Sequence, residues 1–387
     1  MSQNKKPHIL FLFSDTGGGH RSAAEAIIEA IELEYGGAVT TEMLDFFKSH
    51  APLPLNKMPD WYPDMVRAPY LWGLSFKMSD GRRRARAITT SMWPYVGRAV
   101  RALVKNHPAD LIVTVHALAT TVILKALGRN RPPFITVVTD MVSTHALWYD
   151  QRADLILVPT EMARQRAIAY QMDPEKVRVV GQPVAERYSA PVGDKKTQRE
   201  KLGWEQDKSV VLLVGGGEGM GPLGKTAREI DASGLDVALA IVCGRNQRLK
   251  EHLESLDWSV PVHIYGFTRD LPEFMRAADV LVTKAGPGTI AESLNAYLPI
   301  ILYARLPGQE DGNVAFVVEE KVGVWAPQPE LVVRTLREWV RNPEVRLRYV
   351  ENCRRAARPD ASRQIACAIG ETLGLVPEKA LEQALKS

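Results

Sequence analysis

Only three cysteines occur in 387 residues, Cys243, Cys353 and Cys367, far apart and with no C-x-x-C pair. That excludes a small disulfide-stapled secreted fold and fits a reducing cytoplasm. No apolar run reaches the roughly 18 residues needed to span a bilayer, so the chain can touch a membrane but is not expected to span one. The polar start Met1–Pro7 runs straight into an apolar segment, and no secretion signal is read there. An excess of one charge is also lacking: 49 Lys and Arg stand against 45 Asp and Glu, a net +4 too mild to indicate nucleic acid. Any basic partner-binding face must be local. What remains is an ordinary globular mixture, 45% hydrophobic and 24% charged, long enough for two or three domains.

Strand-like segments alternate with helical patterns: His8–Ser14, Leu111–Val115, Phe134–Val138 and Asp154–Val158, then Ser209–Val214, Val237–Cys243, Val262–Tyr265, Val280–Thr283 and Pro299–Tyr303. This alternation predicts an α/β chain of two Rossmann-like domains facing across a cleft. The polar stretch Val184–Gln206 reads as the linker, which sets the domains at 1–185 and 207–357. Leu331–Leu373 reads as helices, and the C-terminal 358–387 segment is a candidate to cross back onto the first domain.

Both halves open with a strand that ends in glycines. Behind Gly17, Gly18 and Gly19 the apolar positions Ala24, Ile27, Ile28 and Ile31 follow helical spacing, so His20 is expected in the first turn of a helix. The helix dipole there favours nearby anions and a neutral imidazole, which suits a base; a mere packing role is the plainer alternative. The second cluster, Gly215–Gly221, contains Gly216, Gly217, Gly219 and Met220. It has more glycine than a tight turn needs, which suggests close approach of a ligand to the backbone. A third turn places Lys284, Gly286, Gly288 and Thr289 before a helix carrying Glu292, an arrangement suited to a diphosphate and a ribose. Gln309 and Glu310 follow in a polar loop able to bind sugar hydroxyls. Glu292 as a dipole-complementing acid, and 306–313 as a solvated loop, are the bland readings.

Together, Ser14-Asp15-Thr16-Gly17-Gly18-Gly19-His20, Gly215–Pro222, Thr283–Glu292 and Pro307-Gly308-Gln309-Glu310-x-Gly312-Asn313 resemble the monogalactosyldiacylglycerol synthase group of glycosyltransferases. Its relatives are the diacylglycerol glucosyltransferases and the peptidoglycan N-acetylglucosaminyl transferase. The resemblance implies the GT-B fold and inverting transfer of galactose from UDP-galactose to diacylglycerol, with His20 as general base. It also implies that the Gly215–Gly221 turn with Gly286–Thr289 holds the diphosphate, Glu292 the ribose, Gly266-Phe267 the uracil, and Gln309 with Glu310 the galactose. Gly18 and Gly19 fall on the acceptor side. No Asp-x-Asp occurs, so neither a metal nor another cofactor is expected, and Lys284 with helix ends would stabilise the leaving group. His116 and Asp140, at ends of first-domain strands, are candidates to orient His20 or the acceptor, or to serve structure alone. The alternatives carried forward are a UDP-glucose-dependent diacylglycerol glucosyltransferase, processive or not, and a non-catalytic nucleotide-sugar-binding protein.

Within Ala51–Arg86, Trp61, Tyr62 and Trp72 precede Arg82, Arg83 and Arg84. Aromatics beside a basic cluster predict contact with anionic membrane lipids at the cytoplasmic face; an irregular packed insertion with a solvated edge is the alternative.

Overall fold

The computed structural model describes residues 5–16, 18–66, 68–219 and 221–377, with Tyr62, Pro63, Asp64 and Val66 described by backbone alone. Strands and helices alternate to build two all-parallel sheets of six strands, one in each of two compact units. The first unit comprises Met1–Glu186, Pro307–Gln309 and Asp360–Ser387; the second comprises Arg187–Leu306 and Glu310–Pro359.

In the first unit, β1 (His8–Phe13), β2 (Thr40–Asp45), β3 (Leu111–Thr114), β4 (Phe134–Val137), β5 (Leu155–Val158) and β6 (Val177–Val179) lie in the order β2-β1-β3-β4-β5-β6. Its helices are α1 (Gly19–Tyr35), α2 (Phe46–His50), α3 (Met58–Val66), α4 (Pro69–Ser79), α5 (Arg82–Asn106), α6 (Ala117–Leu127) and α7 (Glu161–Ala169). Successive side chains of a strand point to opposite faces, so Leu10 and Leu12 enter one core while Ile9, Phe11 and Phe13 enter another. Both faces are covered by helices, which is why β1, β3, β4 and β5 read as largely apolar runs, whereas the edge strands β2 and β6 do not.

The second unit repeats the plan with α8 (Lys195–Leu202), β7 (Ser209–Val214), α9 (Leu223–Ala232), β8 (Val237–Val242), α10 (Gln247–Glu254), β9 (Val262–Tyr265), α11 (Leu271–Ala277) and β10 (Val280–Lys284). It continues through α12 (Pro287–Asn295), β11 (Ile300–Ala304), α13 (Asp311–Glu319), β12 (Gly323–Trp325), α14 (Pro329–Arg341) and α15 (Pro343–Ala356). Strand order is β12-β11-β10-β7-β8-β9.

The units meet in sequence at Glu186 and Arg187, and little of the expected linker is free. Val184 is bonded through its N–H and carbonyl to the Ser362 hydroxyl, within the first unit. The polar run after it folds as α8, whose buried Arg199 pairs with Asp279 at 2.5 Å in the second unit. Lys195 and Arg346 face the same carboxylate, and against the cost of burial they hold Asp279 down to about 2. Polarity here marks buried ion pairing rather than a solvated connector.

The last described helix, α16 (Ala361–Leu373), belongs to the first unit. It lies so close to α1 that a Cβ on Gly370 would sit 1.8 Å from the Tyr35 hydroxyl. Arg363 fastens it by ion pairs to Glu34 (2.8 Å) and Glu186 (2.7 Å). Among the described residues, no helix is long and apolar enough to cross a membrane.

Candidate functional site

An open parallel sheet binds ligands at the carboxyl ends of its strands, where the strand order reverses. In the first unit that point lies between β1 and β3, and the turns leaving these strands carry His20 and His116. Gly18, at φ 77°, caps α1 and brings His20 into its first turn. A Cβ on Gly19 would meet nothing within 4 Å, so the backbone there is open to a ligand.

His20 Nδ1 lies 3.0 Å from the Thr139 hydroxyl, which in turn donates to the Val115 carbonyl at 3.5 Å. A hydroxyl that donates onward can accept from the imidazole, an arrangement that would put the proton on Nδ1 and leave the Nε2 lone pair for chemistry. Burial pulls the His20 pKa below its ordinary value, opposed by the charge of Asp140 and the Val115 carbonyl. The ring is therefore neutral at pH 7, as a base must be. His116 packs edge-on against it, with centroids 4.6 Å apart. The His116 Nδ1 accepts the Leu118 N–H and caps α6, while its Nε2 meets Thr16 Oγ1 at 3.3 Å. Burial, with His20 beside it, also keeps His116 neutral. It is a buried cap and a stacking partner.

Asp140 is buried and accepts the Trp148 indole N–H at 2.7 Å and the Gln309 amide at 3.1 Å. Gln309 belongs to the first unit, although the strand before it belongs to the second. Its Oε1 is buried with no hydrogen-bond partner among the described residues. A buried acceptor in that condition is costly unless a ligand donor reaches it.

In the second unit the reversal lies between β7 and β10, and these strands lead into the two glycine turns. The first turn has a simpler explanation than ligand approach for some of its glycines. A Cβ on Gly219 would stand 2.2 Å from the Cys243 carbonyl oxygen, and one on Gly221 would stand 2.6 Å from the Tyr303 ring. Both also hold positive φ, so packing within the protein demands glycine there. Gly216 (φ 71°) makes room for the Lys284 stem, and Gly217 lies against Arg245. Met220 lies outside the described residues.

Helix α12 begins at Pro287 with no side-chain cap on its N-terminus, and a Cβ on Gly288 would meet nothing within 4 Å. Thr289 follows in that first turn, and Gly286 precedes it with Lys284 Nζ 3.0 Å from where its Cβ would stand. Backbone donors, the positive helix end and an ammonium thus converge, the set a diphosphate requires. Lys284 is held by Glu310 at 2.7 Å. The other Glu310 oxygen accepts the Leu306 N–H at 2.7 Å, so this deeply buried carboxylate already supports the lysine and the turn.

Burial pushes Glu292 up to about 7, against the pull of Arg187 and a hydrogen bond from Tyr188. Phe267 is 61% exposed, with the Arg245 guanidinium stacked 4.7 Å above its ring and Glu218 paired to that guanidinium at 2.9 Å. A flat aromatic and a guanidinium plane suit a nucleobase.

In the 51–86 segment Trp61 is exposed but Trp72 is half-buried. The side chain of Tyr62 lies outside the described residues. Arg82, Arg83 and Arg84 are all exposed, and Arg84 also caps α4 by donating to the carbonyls of Lys77 and Asp80. Thr139, Trp148, Tyr188 and Arg245 had no sequence signal of their own; they join the sites through contacts between residues distant in the chain.

Two doubly wound units of this kind are the architecture of the GT-B fold. Solved structures agree on the fold: Acinetobacter baumannii MurG (TM-score 0.61, 15% identity, 94% of this chain and 99% of that one) and S. aureus MnaA with UDP (0.61, 17%, 96% and 98%). The monogalactosyldiacylglycerol (MGDG) synthase family matches residues 20–184, and the glycosyltransferase family 28 C-terminal domain matches residues 210–364. Monogalactosyldiacylglycerol synthase 2 of Arabidopsis thaliana is 36% identical over 376 residues, 94% of this chain and 80% of that protein. The Spinacia oleracea synthase is 36% identical over 366 residues, 91% and 70%. The chain belongs to the monogalactosyldiacylglycerol synthase family.

Proposed function

We propose that this protein transfers galactose from UDP-galactose to 1,2-diacylglycerol with inversion, and that His20 is the general base. The observation that supports the chemistry is the imidazole at the start of α1, its Nδ1 3.0 Å from the Thr139 hydroxyl and its pKa lowered by burial. Family membership supports the substrates. The diacylglycerol hydroxyl gives its proton to Nε2 as its oxygen attacks the anomeric carbon, and the bond from that carbon to the diphosphate oxygen breaks. Lys284 and the α12 N-terminus take up the charge developing on departing UDP. Glu292 receives the ribose, Phe267 and Arg245 the uracil, and the Gln309 Oε1 a galactose hydroxyl.

The acceptor lies in a bilayer, and α3 and α4 present the apolar side chains Trp61, Met65, Tyr70, Leu71, Leu74 and Met78 to solvent. With Arg82 and Arg83 beginning the next helix, these support docking on anionic membrane lipid. Purified protein given diacylglycerol vesicles and either labelled UDP-galactose or UDP-glucose tests the reading. Transfer of galactose, giving the β-linked lipid, supports it; transfer of glucose alone, or of neither sugar, overturns it.

A further inference from the structure

The first unit contains an apolar cavity of about 280 Å³, enclosed by α2, α5, α6 and the segment leading into α3. Phe47, Leu55, Met58, Met92, Val100 and Leu118 are among the side chains that line it. Interiors normally leave few voids larger than one water, and a void of this size lined by hydrocarbon offers water almost no partners. Its polar lining residues are Thr89, whose hydroxyl is bonded to the Ala85 carbonyl, and His50, whose Nδ1 is buried with no partner among the described residues.

The cavity adjoins the catalytic half-site. Phe47 packs against His116 with ring centroids 5.7 Å apart, and His116 packs against His20 at 4.6 Å. Leu118, also in the wall, gives the N–H that fixes the His116 ring. On its other side the cavity touches Met58, the first residue of α3, the helix that carries exposed Trp61 and Met65.

We propose that this cavity receives one acyl chain of the diacylglycerol acceptor. The inference rests on the lipid acceptor of the proposed function and adds to it a hydrocarbon subsite. A chain drawn in there leaves the bilayer without meeting water, and the glycerol end is kept within two side chains of the base. The exposed face of α3 and α4 then serves to reach the membrane, while the cavity selects and registers the acceptor.

Two measurements on the full chain test this. Diacylglycerol bearing a diazirine at the end of one acyl chain, presented in phosphatidylglycerol vesicles, is photolysed with the protein and the labelled peptides are mapped. Label in the segments 46–58, 88–100 or 118–122 is expected; label found only outside them overturns the proposal. This readout needs no turnover, so it stands apart from whether galactose is the sugar transferred. Ala99 also lines the cavity, and Ala99→Phe, which intrudes into it, is expected to raise KM for dipalmitoylglycerol about tenfold while leaving KM for dihexanoylglycerol and for UDP-galactose within twofold. The milder Ala99→Val, expected to give a smaller shift in the same order, serves should the phenylalanine variant fail to fold. Equal effects on long and short acceptors, or none, overturn the proposal.

Discussion

His20 Nδ1 and Thr139 Oγ1 are 3.0 Å apart, and that bond ties the imidazole ring to a residue 119 positions along the chain. Thr139→Val removes the acceptor while keeping the volume. It should lower kcat on the order of 10- to 100-fold by releasing the tautomer and ring orientation, with KM for UDP-galactose unchanged. Thr139→Ser should recover most of the loss, and steady-state kinetics on the three proteins checks both statements.

Lys284 and Glu310 form a pair with little exposure, so removing one member strands the other. Lys284→Met should weaken UDP binding roughly 10- to 100-fold and also destabilise the fold, by about 3 kcal/mol at most given the exposure of Lys284. The double variant Lys284→Met/Glu310→Gln should regain stability without regaining UDP affinity. Calorimetric titration and denaturant unfolding separate the two effects.

Glu292 titrates near 7 in the folded protein against 4.5 ordinarily. Between those values the folded protein keeps a proton that the unfolded chain has released. Stability therefore falls as pH rises through this window and stays lower above it. Glu292→Gln should match the wild type at pH 4 and exceed it at pH 8 on the order of 1 to 3 kcal/mol, the lower end applying where solvent reaches the group. A ribose hydroxyl donating to the carboxylate favours its charged form, so UDP binding at pH 7 should release protons, read from calorimetry in buffers of different ionisation heat.

Arg82→Glu with Arg83→Glu should weaken binding to phosphatidylglycerol vesicles by at least about tenfold at low salt and change binding to neutral vesicles little. Arg84 is left intact because it caps α4. Vesicle flotation checks the effect.

The central strands were legible because burial on both faces writes them as continuous apolar runs: Ser209–Val214 matches the expected limits and the others differ by a residue at one or both ends, while the half-buried edge strand Val262–Tyr265 was legible from its β-branched and aromatic residues. The strands not anticipated, Thr40–Asp45, Val177–Val179 and Gly323–Trp325, lie at sheet edges, where one side is unpaired and the pattern is short or mixed. His20 and the Lys284 turn were legible because strand, glycine and helix follow one another within a few residues. Thr139, Arg245 and Tyr188 were not, since only the folded chain brings them to their partners. At Gly219 and Gly221 small size also serves packing against Cys243 and Tyr303, which glycine count alone does not reveal. The polarity of 194–206 likewise gave no hint of the buried Arg199–Asp279 pair.

The most direct test of the account is the kcat of His20→Ala at saturating UDP-galactose and diacylglycerol, measured beside its affinity for UDP. The account predicts a fall on the order of 10²- to 10⁴-fold with UDP affinity unchanged. It also predicts a wild-type acid limb below the ordinary histidine range, because burial lowers this pKa. A kcat within twofold of the wild type would contradict the assignment of the base.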